Sequence, residues 1–314
     1  MRNLHHLYIC LLAGLLLAAC SAETPEMSLP DAPHPATGVE VWLSPTRAAG
    51  DADNLPEEYS LLNVSFFLTD AGGSTFTDKF IHQPTAPAVS TGADCLGCRK
   101  VTLPAELATA TRKDIYVVAN FDDAERLASL ATVADLQALA TPKRLVNSNL
   151  NIDRGLPMYG MSADVDLSSN ALRVMLQRIC AKLRVTLTFT DPSWVGSRNR
   201  IEMHDVAPYT YFMPRTGFGV PANELINYSQ VTLTQISEQT FRGVIYLYES
   251  NTLPYLQLYT VVDGKEKIYT AKDHFPLPVR NRLYDVEIEM LPPTQTRSAE
   301  GAVTFSYNFT TYGE

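Results

Sequence analysis

Clustered basic residues, metal-ligand spacings and catalytic signatures are all missing from this 314-residue chain. Its 25 Lys and Arg against 34 Asp and Glu leave a net charge of -9, and no run of Lys or Arg stands out. Phosphate binding rests on local positive charge, so this balance argues against nucleic acid as a partner and disfavours an anionic membrane surface. GxSxG, P-loop, GxGxxG and HExxH patterns are absent, so the chain does not read as an enzyme and no cofactor is expected. His34, His82, His204 and His274 are scattered singly. The stretch DCLGC, Asp94 to Cys98, has no second CxxC or HxxxH to complete a four-ligand zinc site, and no metal is expected. The run DVDLSSN from Asp164 has the look of a calcium loop. It lacks the Gly at position six and the Glu at position twelve, so it reads as a strand leading into a turn. EMHD, Glu202 to Asp205, sets a His among carboxylates without a nucleophile or metal and reads as a polar loop. No repeat with a period of about 20 to 50 residues is apparent, which excludes a solenoid.

What the chain does have begins at its N-terminus. A weakly basic start at Arg2 precedes an apolar run from Leu7 to Leu16, too short for a membrane span, and then Leu17-Ala18-Ala19-Cys20. These four residues resemble a bacterial lipobox, in which the Cys is lipidated and becomes residue one. The expected organisation is a signal peptide over 1–19 and a polar, Pro-containing tether over 20–37 that ties the fold to the membrane through the lipid on Cys20. More than one acyl chain makes such an anchor lasting. The remaining chain suits two domains, 38–169 and 170–314, divided at the loop-like run that ends at Asn170. Of the five cysteines, Cys10 leaves with the leader and Cys20 carries lipid. Cys95 and Cys98 suit a loop disulfide or a pair of free thiols, and Cys180 falls on the core side of a strand.

Most of the chain reads as strands. Leu62, Val64, Phe66 and Leu68 alternate with polar and aromatic neighbours up to the turn Asp70-Ala71-Gly72-Gly73. IYVVAN, Ile115 to Asn120, is a continuous apolar run of strand length, which predicts a central strand covered on both faces. A helical region follows. Asp122 and Asp123 cap a turn carrying Leu127 and Leu130, Thr132 opens a second pattern with Val133, Leu136, Leu139 and Ala140, and Pro142 ends it. Leu183, Val185, Leu187 and Phe189 lie on one face of a strict alternation, as do Val286, Ile288 and Met290. One-sided alternation of this kind predicts mostly β structure, packed as antiparallel sandwiches. Tyrosines in PYTYF (Pro208 to Phe212) and YLYES (Tyr246 to Ser250) suit cross-strand pairing on a half-exposed sheet, or a glycan or protein contact surface.

Two terminal features point to assembly. LPPTQTRSAEG interrupts the sheet pattern, and AVTFSYNFTTYGE then resumes it, with Val303, Phe305, Tyr307 and Phe309 alternating against polar residues. The strand over 302–311 either folds back on its own sheet or is offered to another molecule. At the other end, GVEVWLSPTRAAGD places Arg47 and Ala48 in a loop just after a short first strand, with Val39, Val41 and Leu43 as its inward face. Loop exposure makes cleavage there feasible.

The order of these pieces resembles the fimbrillin family, the lipoprotein-derived pilins of type V fimbriae. GVEVWLSPTRAAGD matches its first strand and Arg-containing loop, and LLNVSFFLTDAGG its next strand. IYVVANFDDAERLASLATVADLQALA matches its "vvaN" strand and helix, and LPMYGMSADVDL its Met-containing strand. LQRICAKLRVTLTF, with Arg178, Ala181 and Lys182, resembles the segment opening the second domain. VRNRLYDVEIEM, with Arg280, Asn281 and Tyr284, resembles a late strand. The resemblance covers nearly the whole chain, with one departure: the last strand ends in TTYGE where many members carry a Trp. It implies two transthyretin-like β-sandwich domains, with a short helical segment in the first, exported to the outer membrane as a lipoprotein. It also implies cleavage at Arg47-Ala48, loss of the first strand, and filling of the opened groove by the C-terminal strand of a neighbouring subunit. Partners are then other fimbrial subunits, with room for a host or bacterial surface ligand. Within the family the alternative is a fimbrial anchor that stays lipidated and uncut; from another class, it is a surface glycan-binding lipoprotein.

Overall fold

The structure is a computed structural model that describes residues 38–46, 58–83, 85, 97–109, 112–143, 155–168, 172–271, 275–292 and 302–311. Cys20, Arg47, Ala48 and Cys95 lie outside the described residues, as do the side chains of Phe305, Tyr307 and Phe309.

Seven strands build the first sheet: β1 (Val39–Pro45), β2 (Val64–Asp70), β3 (Asp78–Gln83), β4 (Arg99–Leu103), β5 (Lys113–Ala119), β6 (Met158–Val165) and β7 (Leu172–Arg178). Their order is β3-β2-β5-β6-β7-β1-β4. Only Met158 with Arg178 and Tyr159 with Gln177 pair β6 to β7, so the ladder is short there. Residues from both sides of this seam share one core: Val41 and Leu43 of β1, Val101 of β4 and Val174 of β7 pack with Phe66 of β2 and Val117 of β5. A single sheet thus supplies both layers of a sandwich.

The apolar run through β5 is buried at every residue, as its lack of alternation requires. Its second face is covered by α1 (Ala124–Ser129) and α2 (Val133–Gln137), whose Leu127 and Leu136 pack on Phe67, Tyr116 and Val118. Asp123 caps α1 by accepting the Arg126 N–H. At α2 the Thr132 hydroxyl accepts the Asp135 N–H at 3.1 Å and the Asp135 carboxylate accepts the Thr132 N–H at 2.9 Å, a reciprocal capping box. Hydrogen bonds from the Ala131 N–H and from Thr132 hold the Asp135 carboxyl below its ordinary value. Thr132→Ala is expected to cost about 1 kcal/mol, read as a shift in the denaturant midpoint at unchanged m-value. The second helix stops at Gln137, before Pro142, because Ala140 leaves to form a bridge with Tyr211.

The second half comprises β8 (Cys180–Phe189), β9 (Ser197–Val206), β10 (Ile226–Thr232), β11 (Thr234–Gln235), β12 (Thr240–Tyr248), β13 (Tyr255–Val262), β14 (Lys265–Ala271), β15 (Arg282–Leu291) and β16 (Ala302–Thr311). They form a sheet β10-β9-β13-β14 and a sheet β11-β12-β8-β15-β16. Leu183, Val185, Leu187 and Phe189 meet Ile201, Met203, Leu256 and Leu258 in the core between them, together with Val286, Ile288 and Met290. Most pairings are antiparallel, but β1 with β7 and β15 with β8 are parallel. Each parallel pair joins strands far apart in the chain, where a crossover connection is available.

The chain changes sheet at Ile179, between β7 and β8. The polar turn after β6 is an internal connection of the first sheet, and β7 is needed there as the neighbour of β1. EMHD is likewise not a loop. It lies in β9, where Met203 turns inward to the core and Glu202 and His204 stay on the half-exposed face, so charge on alternate residues marked a one-sided strand.

Candidate assembly site

β1 sits inside its sheet, parallel to β7 on one side and antiparallel to β4 on the other. Val39, Val41 and Leu43 face the core, as the alternation predicted, and side chains of this kind are worth about 1.5–3 kcal/mol each when buried. Among the described residues β4 is an edge strand whose sole strand neighbour is β1. The lip between the two strands carries polar ties. The Arg173 Nε donates to Ser44 Oγ at 2.8 Å, and Ser44 Oγ lies 3.2 Å from Cys98 Sγ. Cys98 is disulfide-bonded, with its other half outside the described residues, whereas Cys180 is a buried thiol outside any disulfide, in the core as its strand position predicted.

Immediately before the Arg47-Ala48 bond, Thr46 is the last described residue of the β1 segment. Its N–H and its hydroxyl both donate to Leu176 O, at 2.8 and 3.0 Å, and the hydroxyl lies 2.9 Å from Asn281 Oδ1 in the turn that leads into β15. Asn281 adopts a positive φ of 57°, a conformation Asn tolerates, and its N–H donates to Cys180 O at 2.9 Å. The neighbouring Arg280 donates to the Glu249 carboxylate and to the carbonyls of Tyr211 and Phe212. Tyr284 closes the same turn: its hydroxyl donates to Leu277 O at 2.7 Å and accepts the Val279 N–H at 3.0 Å.

The next described residue after Thr46 is Glu58, which is fully buried. Lys182 Nζ lies 2.6 Å from its Oε1 and Arg178 Nη1 lies 3.1 Å from its Oε2. Arg178 Nε donates to Glu58 O at 3.0 Å, and the Tyr246 hydroxyl donates to Oε1 at 2.6 Å. Burial, and then the negative charge of Glu58, push the Tyr246 phenol far above its ordinary value, which keeps it a donor. The spacing of Arg178 and Lys182 thus has a structural purpose: they approach one carboxylate from the end of β7 and from β8. Glu58 itself was missed from the sequence, where Glu57-Glu58 after Pro56 looks like any polar loop.

At the other end, β16 is the edge of its sheet and pairs antiparallel with β15 over its whole length, from Arg282 with Thr311 to Leu291 with Ala302. Of the two alternatives the sequence left open, this is the strand folded back on its own sheet. Val303, Phe305, Tyr307 and Phe309 stand opposite Met290, Ile288, Val286 and Tyr284, all core residues, and Val303 packs on that core.

The tyrosine runs divide. Tyr246 and Tyr248 are buried at the junction, so YLYES presents no ring surface. Tyr209 and Tyr211 are half-buried; Tyr211 packs edge-on against Tyr209 and Phe218, Tyr209 is tilted against Phe218, and Lys143 lies over Tyr209 and Arg215 over Tyr211. Among the described residues no group of carboxylates, His and Cys is arranged to hold a metal, and no helix is long and apolar enough to cross a membrane.

Residues 39–189 match the family model described as major fimbrial subunit protein (FimA). No curated protein matches the chain. Solved structures do. A candidate cell adhesion protein from Bacteroides eggerthii superposes with a TM-score of 0.56 at 12% identity, covering 89% of this chain and 97% of that one. Another from Bacteroides uniformis gives 0.51 at 10% identity, covering 88% and 99%. A fimbrial assembly protein from Parabacteroides distasonis gives 0.49 at 15%, covering 86% and 98%. At such identities the first two structures speak for the fold alone.

Proposed function

We propose, from the membership of residues 39–189 in the major fimbrial subunit (FimA) family, that this chain is a structural, non-enzymatic component of a cell-surface fimbrium. It is exported as a lipoprotein through Cys20, cut at Arg47-Ala48, and polymerised by strand exchange. One observation carries this reading: β1 is a short, core-filling strand that ends just before Arg47 in the sequence, and its departure leaves a slot between β7 and β4. The strand over 302–311 is the candidate occupant, because among the described residues it lies at a sheet edge with β15 as its sole strand neighbour. Four or five apolar side chains entering such a slot recover on the order of 8–12 kcal/mol gross, before ordering costs. With Cys10 removed, Cys20 lipidated and Cys180 outside any disulfide, Cys95 is the partner left for the Cys98 disulfide.

A second reading, the lipidated and uncut fimbrial anchor, is supported by the self-filled state, in which both β1 and β16 occupy places in their own sheets. N-terminal sequencing and lipid analysis of protein from outer membranes and from sheared fibres separate the two. A terminus at Ala48 in sheared material is expected for the polymerising subunit. Lipidated Cys20 in every molecule would overturn cleavage for this chain and favour the anchor. The glycan-binding alternative has less support, since the rings of Tyr209 and Tyr211 already carry cation contacts and those of Tyr246 and Tyr248 are buried.

A further inference from the structure

A cut in the Arg47 loop raises a question that neither terminus answers: what keeps the rest of the slot in place once β1 has gone. β4 has no other strand neighbour among the described residues, and everything between residue 48 and β2 would hang from a new chain end. We propose that residues 58–63 form a retaining anchor, pinned by Glu58 and Asn120, which limits the loss to β1 and holds β4 as the outer wall of the empty slot. This inference rests on the cleavage reading above.

Three sets of contacts carry it. The Glu58 carboxylate is held by Arg178, Lys182 and Tyr246, none of which belongs to β1, so its bonds survive the departure of that strand. Asn120 then grips the next residues. Its side-chain amide donates to Ser60 O at 2.8 Å and to Leu156 O at 2.7 Å, and its side-chain oxygen accepts the Leu62 N–H at 2.9 Å. Its backbone N–H donates to Asn63 O at 3.0 Å, from a positive φ of 59°. The third contact links the anchor to β4. Gly97, at a φ of +74° just before that strand, lies so near Tyr59 that a Cβ added to it would come within 2.7 Å of the ring. Cys98 follows, buried and disulfide-bonded. The wall is therefore tied to Tyr59, whose neighbour Glu58 is the buried pin.

The pins locate the boundary between what is released and what stays. Unfolding is local where few buried contacts oppose it, and residues 58–63, the first described residues after Thr46, carry such contacts. An empty slot whose walls stay put binds a strand without first ordering them, which favours capture.

The test replaces Arg47 to Gly50 with a site-specific protease sequence in the full chain, so that the cut is made whether or not the native bond is a substrate. Hydrogen exchange of residues 58–62 and binding of a synthetic peptide of residues 38–47 are measured before and after cutting. In the otherwise unaltered chain, 58–62 is expected to keep its protection after the cut and the slot to rebind the peptide. In Glu58→Gln/Asn120→Gly the exchange of 58–62 after cutting is expected to rise about tenfold or more, through easier local opening, with peptide binding weakened in parallel. Asn120→Gly alone preserves the positive φ and is expected to act in the same direction, which keeps the test open if the double variant does not fold. Loss of protection at 58–62 on cutting the unaltered chain would overturn the anchor, as would unchanged exchange in the variants. The exchange measurement does not require β1 to leave. Since the cut is imposed, a native N-terminus other than Ala48 would end the cleavage reading while the retention result stood by itself.

Discussion

Glu58→Ala is expected to lower the stability of the uncut fold by about 3–5 kcal/mol, a large share of the total for a domain of ordinary stability. The carboxylate is fully buried, and its partners Arg178 and Lys182 are each 1% exposed, so neither cation can turn to water when it is lost. Breaking a buried pair from one side leaves charge uncompensated; replacing all members with apolar groups does not. Glu58→Leu with Arg178→Met and Lys182→Met is accordingly expected to recover most of the loss. Urea denaturation midpoints of the wild type and both variants check this. Equal stability of Glu58→Ala and wild type would show that the ionic cluster contributes nothing to holding residues 58–63.

Ending the chain after Gly301 is expected to abolish polymer while leaving an exported, folded monomer. Among the described residues the deleted strand pairs only with β15, and in the proposed exchange it supplies the apolar side chains that fill a neighbour's slot. Four such side chains at about 1.5–3 kcal/mol each are too much to lose from one joint. The measurements are electron microscopy of sheared material and size-exclusion of the detergent-extracted chain, with circular dichroism to verify folding. Fibres of normal length from the shortened chain would exclude residues 302–311 as the donor.

The sequence was most informative where one physical demand acted alone. Ile115 to Ala119 of β5 had to run without polar alternation because a folded sheet covers one face and helices cover the other. Val286, Ile288 and Met290 had to alternate with Asp285, Glu287 and Glu289 because only one face of β15 is dry. The caps at Asp123 and Thr132 were readable from residue type and spacing. Legibility failed where partners come from distant parts of the chain. Nothing near Glu58 announces that it meets Arg178, Lys182 and Tyr246, and nothing near Thr46 announces Asn281. The sheet membership of β7 was not legible either, because a polar turn such as the one after β6 looks the same within a sheet as between sheets. The fate of β16 was not legible from periodicity, since an amphipathic strand has the same pattern on its own sheet as on another.

The two neighbours of β1 run in opposite directions, and this has a consequence for the geometry of any assembly. A replacement strand that restores the hydrogen-bond pattern on both sides must enter with the same sense as the one it replaces, parallel to β7 and antiparallel to β4. The slot is therefore a one-way socket. In the proposed exchange the socket and the plug are different patches of the same chain, so the contact is heterologous and does not close on itself as a two-fold dimer would. Every joint repeats the same rotation in the same sense, and the resulting filament has two unlike ends, one with an empty socket and the other with an unused plug.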